Sequence, residues 1–384
     1  MLLALLLAAL PPAPDVLVTG KRLERLHQLC RQGRCTPLRD AQASIAWAEA
    51  QFRDGKYVAA KQVLRDAAAR NKRHAATHPK PVAAIYEAYA TVSWQEGDQD
   101  AYRTATAARV RTLKDNLPAD DVHVRGAALA IGDMWLRIGQ PLEAQRAFQQ
   151  AERDALAGSR DDVALRARLA RARIRHGFGD RRGAAALLAS AAALPGAAEP
   201  RNQGAIRATR LRFGAAEGDT AAIARVAAEV GRAGFVQPVL VWSPPYPRTA
   251  ADLADAARAA NRSLATTGGE LFAVTGSRAS DLDPIQWADI GFSIRPDGRT
   301  EDIELVRGST DRAWATPYLT QIAGRRYTAT PGGADNPGTY RVERFTLRAN
   351  YETPIGSLIR RRAGPGKLEI VDLTDPAATV TAAR

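Results

Sequence analysis

The sequence is poor in the residues that usually carry catalysis or metal binding. Its 384 residues include two cysteines, two methionines and five histidines, and 6% of them are aromatic. The histidines are scattered over separate parts of the chain, so they do not have the spacing of a metal site. There is no Walker A loop, no Gly-x-Ser-x-Gly elbow and no His-Glu-x-x-His motif. We therefore predict no catalytic residue, no metal and no cofactor. An enzyme would need a site formed between domains.

The composition is that of a folded protein, with 46% hydrophobic and 25% charged residues. The length allows two or three domains. A formal net charge of +13 is typical of proteins that bind nucleic acid, but the arginines are spread over the whole chain. The densest basic run is Arg360-Arg361-Arg362, which we interpret as a solvated surface, with binding to an anionic envelope surface as the alternative. We expect no nucleic-acid partner.

The first ten residues are almost wholly apolar and are followed by Pro11 and Pro12. This run is shorter than the ~20 residues that cross a bilayer as a helix, but it is typical of the core of a secretory signal. We expect residues 1–14 to be a signal peptide, with export to the periplasm of a Gram-negative cell and no transmembrane helix in the mature chain. Because no Lys or Arg precedes the run, a misassigned start codon is the alternative.

Two cysteines, Cys30 and Cys35, lie in a segment that we place at residues 15–40. Gly33 lies between them, and the short separation favours a small disulfide in an oxidising compartment. Two free thiols are the alternative. A zinc site would need two further ligands, and His27 alone does not supply them.

A glycine-centred turn recurs along the chain between alanine-rich segments. The turns contain Gly55, Gly97, Gly139, Gly179 and Gly218, which are about 40 residues apart. After the first turn, Tyr57, Ala60, Val63 and Leu64 fall on one face of a helix. Such a period predicts stacked helical hairpins that bury their apolar faces against one another.

The Gly-x-Tyr-x-x-Ala turn, preceded by large apolar residues, resembles the tetratricopeptide repeat over residues 41–235. The repeats are longer than the ~34 residues of that family. The resemblance implies an α-solenoid of helical hairpins that offers an extended surface to protein partners and carries no chemistry of its own. Trp47, Trp94 and Trp135 recur near the ends of first helices, which predicts that they pack in the core.

The pattern changes after residue 235. A Pro-rich joint and a helix at 250–264 are expected within residues 236–285. Alternating residues then predict two strands joined at Pro296-Asp297-Gly298, the strongest short-range signal for a hairpin. A helix at 311–324 and a last strand at 340–348 follow, and an extra strand is expected in the tail at 353–384.

This order of strand, Pro-Asp-Gly turn, strand, helix and strand resembles the C-terminal domain of TonB-type energy transducers. The resemblance is carried by residues 290–299, 303–309, 325–327 and 344–346. It implies a small α+β domain at 286–352 whose sheet edge accepts a strand from an outer-membrane receptor. The transducer's membrane anchor and long Pro-rich spacer are missing from this sequence. Residues 15–22 are similar to the N-terminal box of TonB-dependent receptors, with an ordinary N-terminus as the alternative.

The expected strand-pairing residues lie on the last predicted strand: Arg341, Glu343, Phe345 and Leu347. The predicted fold is therefore an α+β multidomain chain, an α-solenoid followed by a small domain with an antiparallel sheet. The predicted function is a periplasmic adaptor that binds proteins, with a link to outer-membrane transport. The alternative is a cytoplasmic solenoid regulator that binds nucleic acid through its basic surface.

Overall fold

The computed structural model describes most of the helical part and most of the C-terminal sheet. Its described residues are 20–214, 221, 224–225, 237–247, 285–330, 338–348, 351–352, 356, 361–362 and 367–374. The expected signal peptide, the turn at Gly218 and the helix at 250–264 lie outside these residues. So do residues 15–19 of the predicted receptor-like box, whereas residues 20–22 form the start of a helix.

Residues 20–214 form eleven α-helices. They are α1 (Gly20–Arg31), α2 (Pro37–Arg53), α3 (Tyr57–Asn71), α4 (Pro79–Glu96), α5 (Gln99–Asn116), α6 (Val122–Ala127), α7 (Ala130–Arg137), α8 (Pro141–Ala157), α9 (Asp161–Gly177), α10 (Arg181–Ala192) and α11 (Pro200–Gly214). Helices α2, α4, α7 and α9 each begin a hairpin, and α3, α5, α8 and α10 complete them. Each hairpin packs on the next, which makes this part of the chain a helical solenoid.

The four hairpin turns within residues 20–214 share one geometry. Gly55, Gly97, Gly139 and Gly179 have φ between 77° and 94°, the left-handed region that favours glycine. The N–H after each glycine donates to the carbonyl five residues earlier, which satisfies a free carbonyl at the helix end. The donor and acceptor pairs are Lys56 and Gln51, Asp98 and Ser93, Gln140 and Trp135, and Asp180 and Arg175. The predicted helical repeat is therefore confirmed for these four turns.

Small and large side chains alternate in the core between the helices. Ala60, Ala144 and Ala184 are fully buried in the second helices of three hairpins, where they let helices approach closely. Trp94 is also buried, and its ring lies 4.9 Å from that of Tyr102. The predicted packing role of Trp94 is confirmed.

A disulfide closes the turn between α1 and α2, and a buried polar network joins the two helices. Cys30 and Cys35 are bonded, as predicted, with their Cα atoms 4.8 Å apart. His27 Nδ1 lies 3.3 Å from Ser44 Oγ, and Ser44 Oγ donates to Asp40 at 3.0 Å. Asp40 in turn accepts hydrogen bonds from Arg70 and Asn71 of α3. The first three helices are thus held together by covalent and polar contacts as well as by apolar burial.

The C-terminal part contains eight described strands and a helix. They are β1 (Leu240–Trp242), β2 (Gln286–Ile294), β3 (Thr300–Gly308), α12 (Thr316–Ala323), β4 (Arg326–Tyr327), β5 (Thr339–Arg348), β6 (Tyr351–Glu352), β7 (Arg361–Arg362) and β8 (Lys367–Asp372). The main sheet is antiparallel with the order β3-β2-β5-β8, while β1 pairs with β4 and β6 with β7. The predicted hairpin at Pro296–Gly298 is confirmed, since β2 pairs with β3 across it.

The main sheet uses both of its faces. On one face, Ile290 and Phe292 of β2 and Phe345 of β5 pack against Tyr318 and Ile322 of α12. The other face carries Trp287, Asp289, Arg344 and Thr346, because side chains alternate along a strand. That second face contacts the solenoid, and both domains therefore share one buried interface.

The predicted strand-accepting edge needs correction. Strand β5 is neither the last strand nor an edge, because β2 pairs with it along its length and β8 pairs with residues 343–348. Phe345 is buried in the core of the sheet domain, and Glu343 forms an ion pair with buried Arg325 at 2.8 Å. Arg341 and Leu347 lie opposite Phe292 and Gln286 of β2. Strand β8 lies in the tail, where an extra strand was expected, and it pairs with β5, so β5 is not at the edge of the sheet.

No helix within the described part of the chain is both long and apolar enough to cross a membrane.

Protonation of His27 should destabilise the helical part. Burial lowers the pKa of His27 below its ordinary value of 6.5, and the charges of Arg70 and Arg31 lower it further. The unfolded chain then binds more protons than the folded protein as the pH falls through the unfolded pKa, so stability is lost in that range. We expect the urea midpoint to fall between about pH 8 and about pH 5.5, and to fall less in His27→Gln. Substituting the exposed His123 by Gln is the control. Equal pH dependence in all three proteins would contradict the prediction.

Candidate functional site

A groove opens between α4 and α7, with α5 forming its back wall. Its volume is about 570 Å³. The larger side chains that line it are Glu87 and Thr91 from α4, Tyr102, Thr106 and Arg109 from α5, and Asp133, Leu136 and Arg137 from α7. The groove therefore combines polar, charged and aliphatic groups on the first helices of two neighbouring hairpins.

The spacing within α7 explains which side chains face the groove. Asp133, Leu136 and Arg137 follow the three- and four-residue spacing of one helix face, whereas Met134 is buried between helices. Gly132 makes the close packing behind them feasible, since a Cβ there would lie 2.4 Å from the ring of Phe148 in α8. Helix α7 thus packs closely on α8 while its polar face stays open.

One ion pair crosses the groove wall. Arg109 Nη2 of α5 lies 3.1 Å from Glu87 Oε1 of α4. The charge of Glu87 is therefore already balanced within the protein. Asp133 is the other carboxylate that lines the groove.

Asp133 lies among arginines from two helices. Its side chain is exposed in the groove, yet the surrounding walls reduce its hydration and raise its pKa above the ordinary value of 3.8. The charges of Arg173, Arg137 and Arg166 act in the opposite direction, which places all three near the carboxylate.

The basic surface extends one helix further. Burial lowers the pKa of Arg212 in α11, and the like charge of Arg173 lowers it as well. Arg137 stands on α7, Arg166 and Arg173 on α9 and Arg212 on α11, the first helices of successive repeats, and we call this set the arginine row. Arg166 pairs with Asp162 at 3.3 Å. Among the described residues, no carboxylate forms a salt bridge with Arg137, Arg173 or Arg212.

The sheet domain lies at one end of this groove. Three cations lie around the ring of Trp94: Arg348 at 4.8 Å, Lys367 at 5.5 Å and Arg137 at 6.0 Å. Lys367 Nζ of β8 also donates to the backbone carbonyl of Arg137 at 3.4 Å. Burial lowers the pKa of Arg348 to about 10, and its partner Glu369 opposes that change. The end of α7 is thus shared between the groove and the domain interface.

The domain interface is centred on a buried ion pair. Arg344 donates to both carboxylate oxygens of Asp289, from Nε at 2.6 Å and from Nη2 at 2.9 Å. It also donates to the carbonyls of Phe52 and Arg53 at the end of α2, the latter at 2.8 Å. The ring of Trp287 lies 3.9 Å from the guanidinium carbon. This side chain therefore joins the two domains.

The sequence-based analysis did not identify the arginine row or this interface. Arg344 stands next to Phe345, a predicted site residue, but it points to the opposite face of the sheet. The alternation of Asp289 with apolar residues in β2 predicts that one face is solvated. Trp287 on the Asp289 face was the available signal that this face is covered as well. The arginines of the row are far apart in sequence, and only the stacking of the repeats brings them together.

The side chains that line the groove are groups that orient a bound ligand. Within the described residues, no group of three His, Cys, Asp or Glu side chains could hold a metal ion. The charged groups that line the groove are two arginines, Arg109 and Arg137, and two exposed carboxylates, Glu87 and Asp133. Chemically, the arrangement is suited to recognition.

The buried ion pair gives a prediction about stability. In Arg344→Met, Asp289 stays buried with Arg307 as its remaining partner, and the carbonyls of Phe52 and Arg53 lose a donor. We expect the free energy of unfolding to fall by about 3 kcal/mol or more. Arg307 is a second partner of the Asp289 carboxylate, and the Arg307 side chain is 45% exposed. We expect Arg307→Met to lower the free energy of unfolding by less than about 1 kcal/mol. Urea unfolding followed by tryptophan fluorescence measures both. Equal costs for the two variants would refute this account of the interface.

No protein family model matches the chain, and no curated protein is similar to it. Solved structures with similarity include a kinesin light chain-like protein with TPR-like repeats from Podosopora anserina, which is 16% identical, covers 46% of this chain and 84% of its own length, and has a TM-score of 0.38. BtubC from P. vanneervenii is 15% identical over 60% of this chain and 93% of its own, with a TM-score of 0.38. The Rap conjugation gene regulator of plasmid pLS20, in complex with the Phr* peptide, is 15% identical over 56% of each chain, with a TM-score of 0.30. The helical solenoid described above rests on the repeated hairpins and their turns, not on these similarities.

Proposed function

We propose that this chain is a non-catalytic adaptor that binds a segment of another protein in the groove between α4 and α7. The observation that supports this proposal is the open groove of about 570 Å³, on whose wall Asp133, Leu136 and Arg137 of α7 are exposed side by side. Leu136 is 39% exposed there and offers an aliphatic contact between charged groups. Sites that bind ligands commonly combine a cleft of ~300–1,000 Å³ with a few polar groups that fix orientation.

The domain interface supports the same function. The sheet domain contacts the ends of α2 and α7, and so occupies the turn edge of the repeats. The face formed by the first helices is left open at the groove. The sheet domain then serves as a fixed brace for the solenoid, and the groove as the surface for a partner.

The periplasm is the location that we propose for this adaptor. The Cys30–Cys35 disulfide supports it, because such bonds persist in oxidising compartments. A link to outer-membrane transport would require strand pairing at an edge other than β5. Among the described strands, β3 and β8 form the outer positions of the sheet, but β3 carries irregularities of register and acidic residues that hinder strand addition.

Nucleic-acid binding has less support. Proteins that bind single strands stack bases on exposed aromatic rings. The aromatic residue that lines the groove is Tyr102, which is buried. The groove therefore offers positive charge without a stacking surface.

Cross-linking tests the adaptor proposal. A photo-reactive benzoylphenylalanine at Leu136 in the groove should cross-link to a partner in cells. The matched control is Leu156 on α8, which is 40% exposed and does not line the groove. We expect a discrete cross-linked species from position 136 alone. Equal cross-linking from both positions, or none from 136, would refute the groove as the binding surface.

Export makes a separate prediction. If the protein is periplasmic, the purified native form should begin after residue 14 or close to it, and neither cysteine should react with an alkylating reagent before reduction. Intact mass measured with and without reduction checks both points. Two thiols that react in freshly lysed cells would place the protein in a reducing compartment.

A further inference from the structure

A second pocket lies at the edge of the solenoid opposite the glycine turns. It opens among the ends of α5 and α8, helix α6 and the start of α9, beside the loops that join successive hairpins. Its volume is about 260 Å³. Clefts that hold drug-sized ligands have ~300–1,000 Å³, so this pocket suits a smaller molecule. It shares no lining residue with the groove between α4 and α7.

The inner wall of the pocket is aliphatic. Val124 of α6 and Val163 of α9 are buried there, and Leu117 at the end of α5 is half-buried. Val124 and Leu117 belong to one apolar cluster, whereas Val163 packs with Ala128 in another. The pocket therefore lies at the seam between two apolar clusters. An aliphatic group bound at this seam would remove apolar surface from water.

A fixed guanidinium lies at the rim. Arg160 Nη2 donates to the backbone carbonyl of Asp154 at 2.7 Å, and Nη1 donates to that of Ala119 at 3.3 Å. These contacts use two of the five N–H groups of the guanidinium. Among the described residues, its buried Nε has no acceptor and no carboxylate forms an ion pair with it. Arg160 is thus held in place by carbonyls while its charge is not balanced by a neighbouring carboxylate.

The carboxylate at the rim is already bound within the protein. Asp154 accepts a hydrogen bond from Gln150 Nε2 at 2.7 Å and lies 3.7 Å from Lys114 Nζ. Lys114 and Asp154 therefore balance each other, and Arg160 supplies the remaining positive charge of the rim. A carboxylate that approaches the pocket meets a guanidinium whose position is set before binding, which lowers the entropic cost of binding.

We propose that this pocket binds a small aliphatic carboxylate, whose headgroup accepts hydrogen bonds from Arg160 and whose chain lies against Leu117, Val124 and Val163. A guanidinium suits this role because it donates two parallel hydrogen bonds to a carboxylate. The inference goes beyond the adaptor function, since the pocket and the groove are separate. A free aliphatic acid and the C-terminal aliphatic residue of a polypeptide both present this chemistry, and the test distinguishes them.

Isothermal titration calorimetry on the full chain tests the proposal with defined probes. These are hexanoate, butyrate, hexylammonium and the peptide acetyl-Ala-Ala-Leu with a free C-terminus. Each buried methylene adds about fourfold in affinity, so we expect hexanoate to bind about 15-fold more tightly than butyrate. Hexylammonium, which has the opposite charge, should bind at least about tenfold more weakly than hexanoate. Peptide binding tighter than hexanoate binding would assign the site to a polypeptide C-terminus, and weaker binding to a free acid.

Matched variants locate the binding. Ala151→Leu places a larger side chain in the pocket from α8, and should weaken hexanoate binding by about tenfold or more. Arg160→Gln should give a loss of similar size for hexanoate and leave the affinity for hexylammonium unchanged. Arg146→Gln removes the same charge from α8, where the side chain is 73% exposed, and should leave hexanoate binding unchanged.

Circular dichroism verifies that each variant is folded. If Arg160→Gln does not fold, because the carbonyls of Ala119 and Asp154 lose their donor, Ala151→Leu still tests the site, since it keeps both contacts.

Three results would overturn the proposal. These are hexylammonium binding as tight as hexanoate binding, an unchanged affinity for hexanoate in Ala151→Leu, or an equal loss in Arg146→Gln and Arg160→Gln. The cross-link at Leu136 does not depend on this pocket. The carboxylate site and the adaptor function can therefore fail separately.

Discussion

The arrangement of the two domains depends on one buried guanidinium. Arg344 and Asp289 are both fully buried, and a charge in such a place is tolerated only when its hydrogen bonds are satisfied. Arg344 meets that condition by donating to Asp289 and to the carbonyls of Phe52 and Arg53. Those carbonyls end helix α2, where the helix dipole is negative. Because the donors of a guanidinium have a fixed planar geometry, the contact fixes the orientation of the sheet on the first repeat as well as its attachment.

Three turns of the solenoid contact the sheet domain, each at the end of a first helix. A Cβ on Gly55 would lie 2.3 Å from Nε1 of Trp287, so this glycine both ends a helix and admits the indole ring. At the next repeat, the carbonyl of Gly97 accepts a hydrogen bond from the N–H of Tyr351. At the third repeat, Lys367 Nζ donates a hydrogen bond to the carbonyl of Arg137. Basic and donor groups of the sheet domain thus meet the carbonyl ends of three first helices, and the turn edge is used for assembly within the chain.

The features that could be predicted from the sequence are local ones. The glycine turns at residues 55, 97, 139 and 179, the disulfide and the Pro296–Gly298 hairpin each depend on residues that are close in sequence, and each is confirmed. The strand site was wrong because β8 pairs with β5, and that pairing has no local turn signal that specifies it. Arg344 and its acceptor Phe52 are 292 residues apart, so no local pattern could reveal their contact. The arginine row was missed for the same reason, since equivalent positions on separate helices become neighbours only after the repeats stack.

The positive charge of the chain is used in two different ways. Arg344 is placed against helix carbonyls and the carboxylate of Asp289, so its charge is balanced within the folded protein. Burial and the like charge of Arg173 lower the pKa of Arg212, so the fold places Arg212 less favourably than Arg344. A surface shaped by stability alone would separate such charges or insert a carboxylate between them, as Asp162 does for Arg166. The charge on which the fold depends is therefore the charge that it buries, and Arg137, Arg173 and Arg212 remain on the exposed surface.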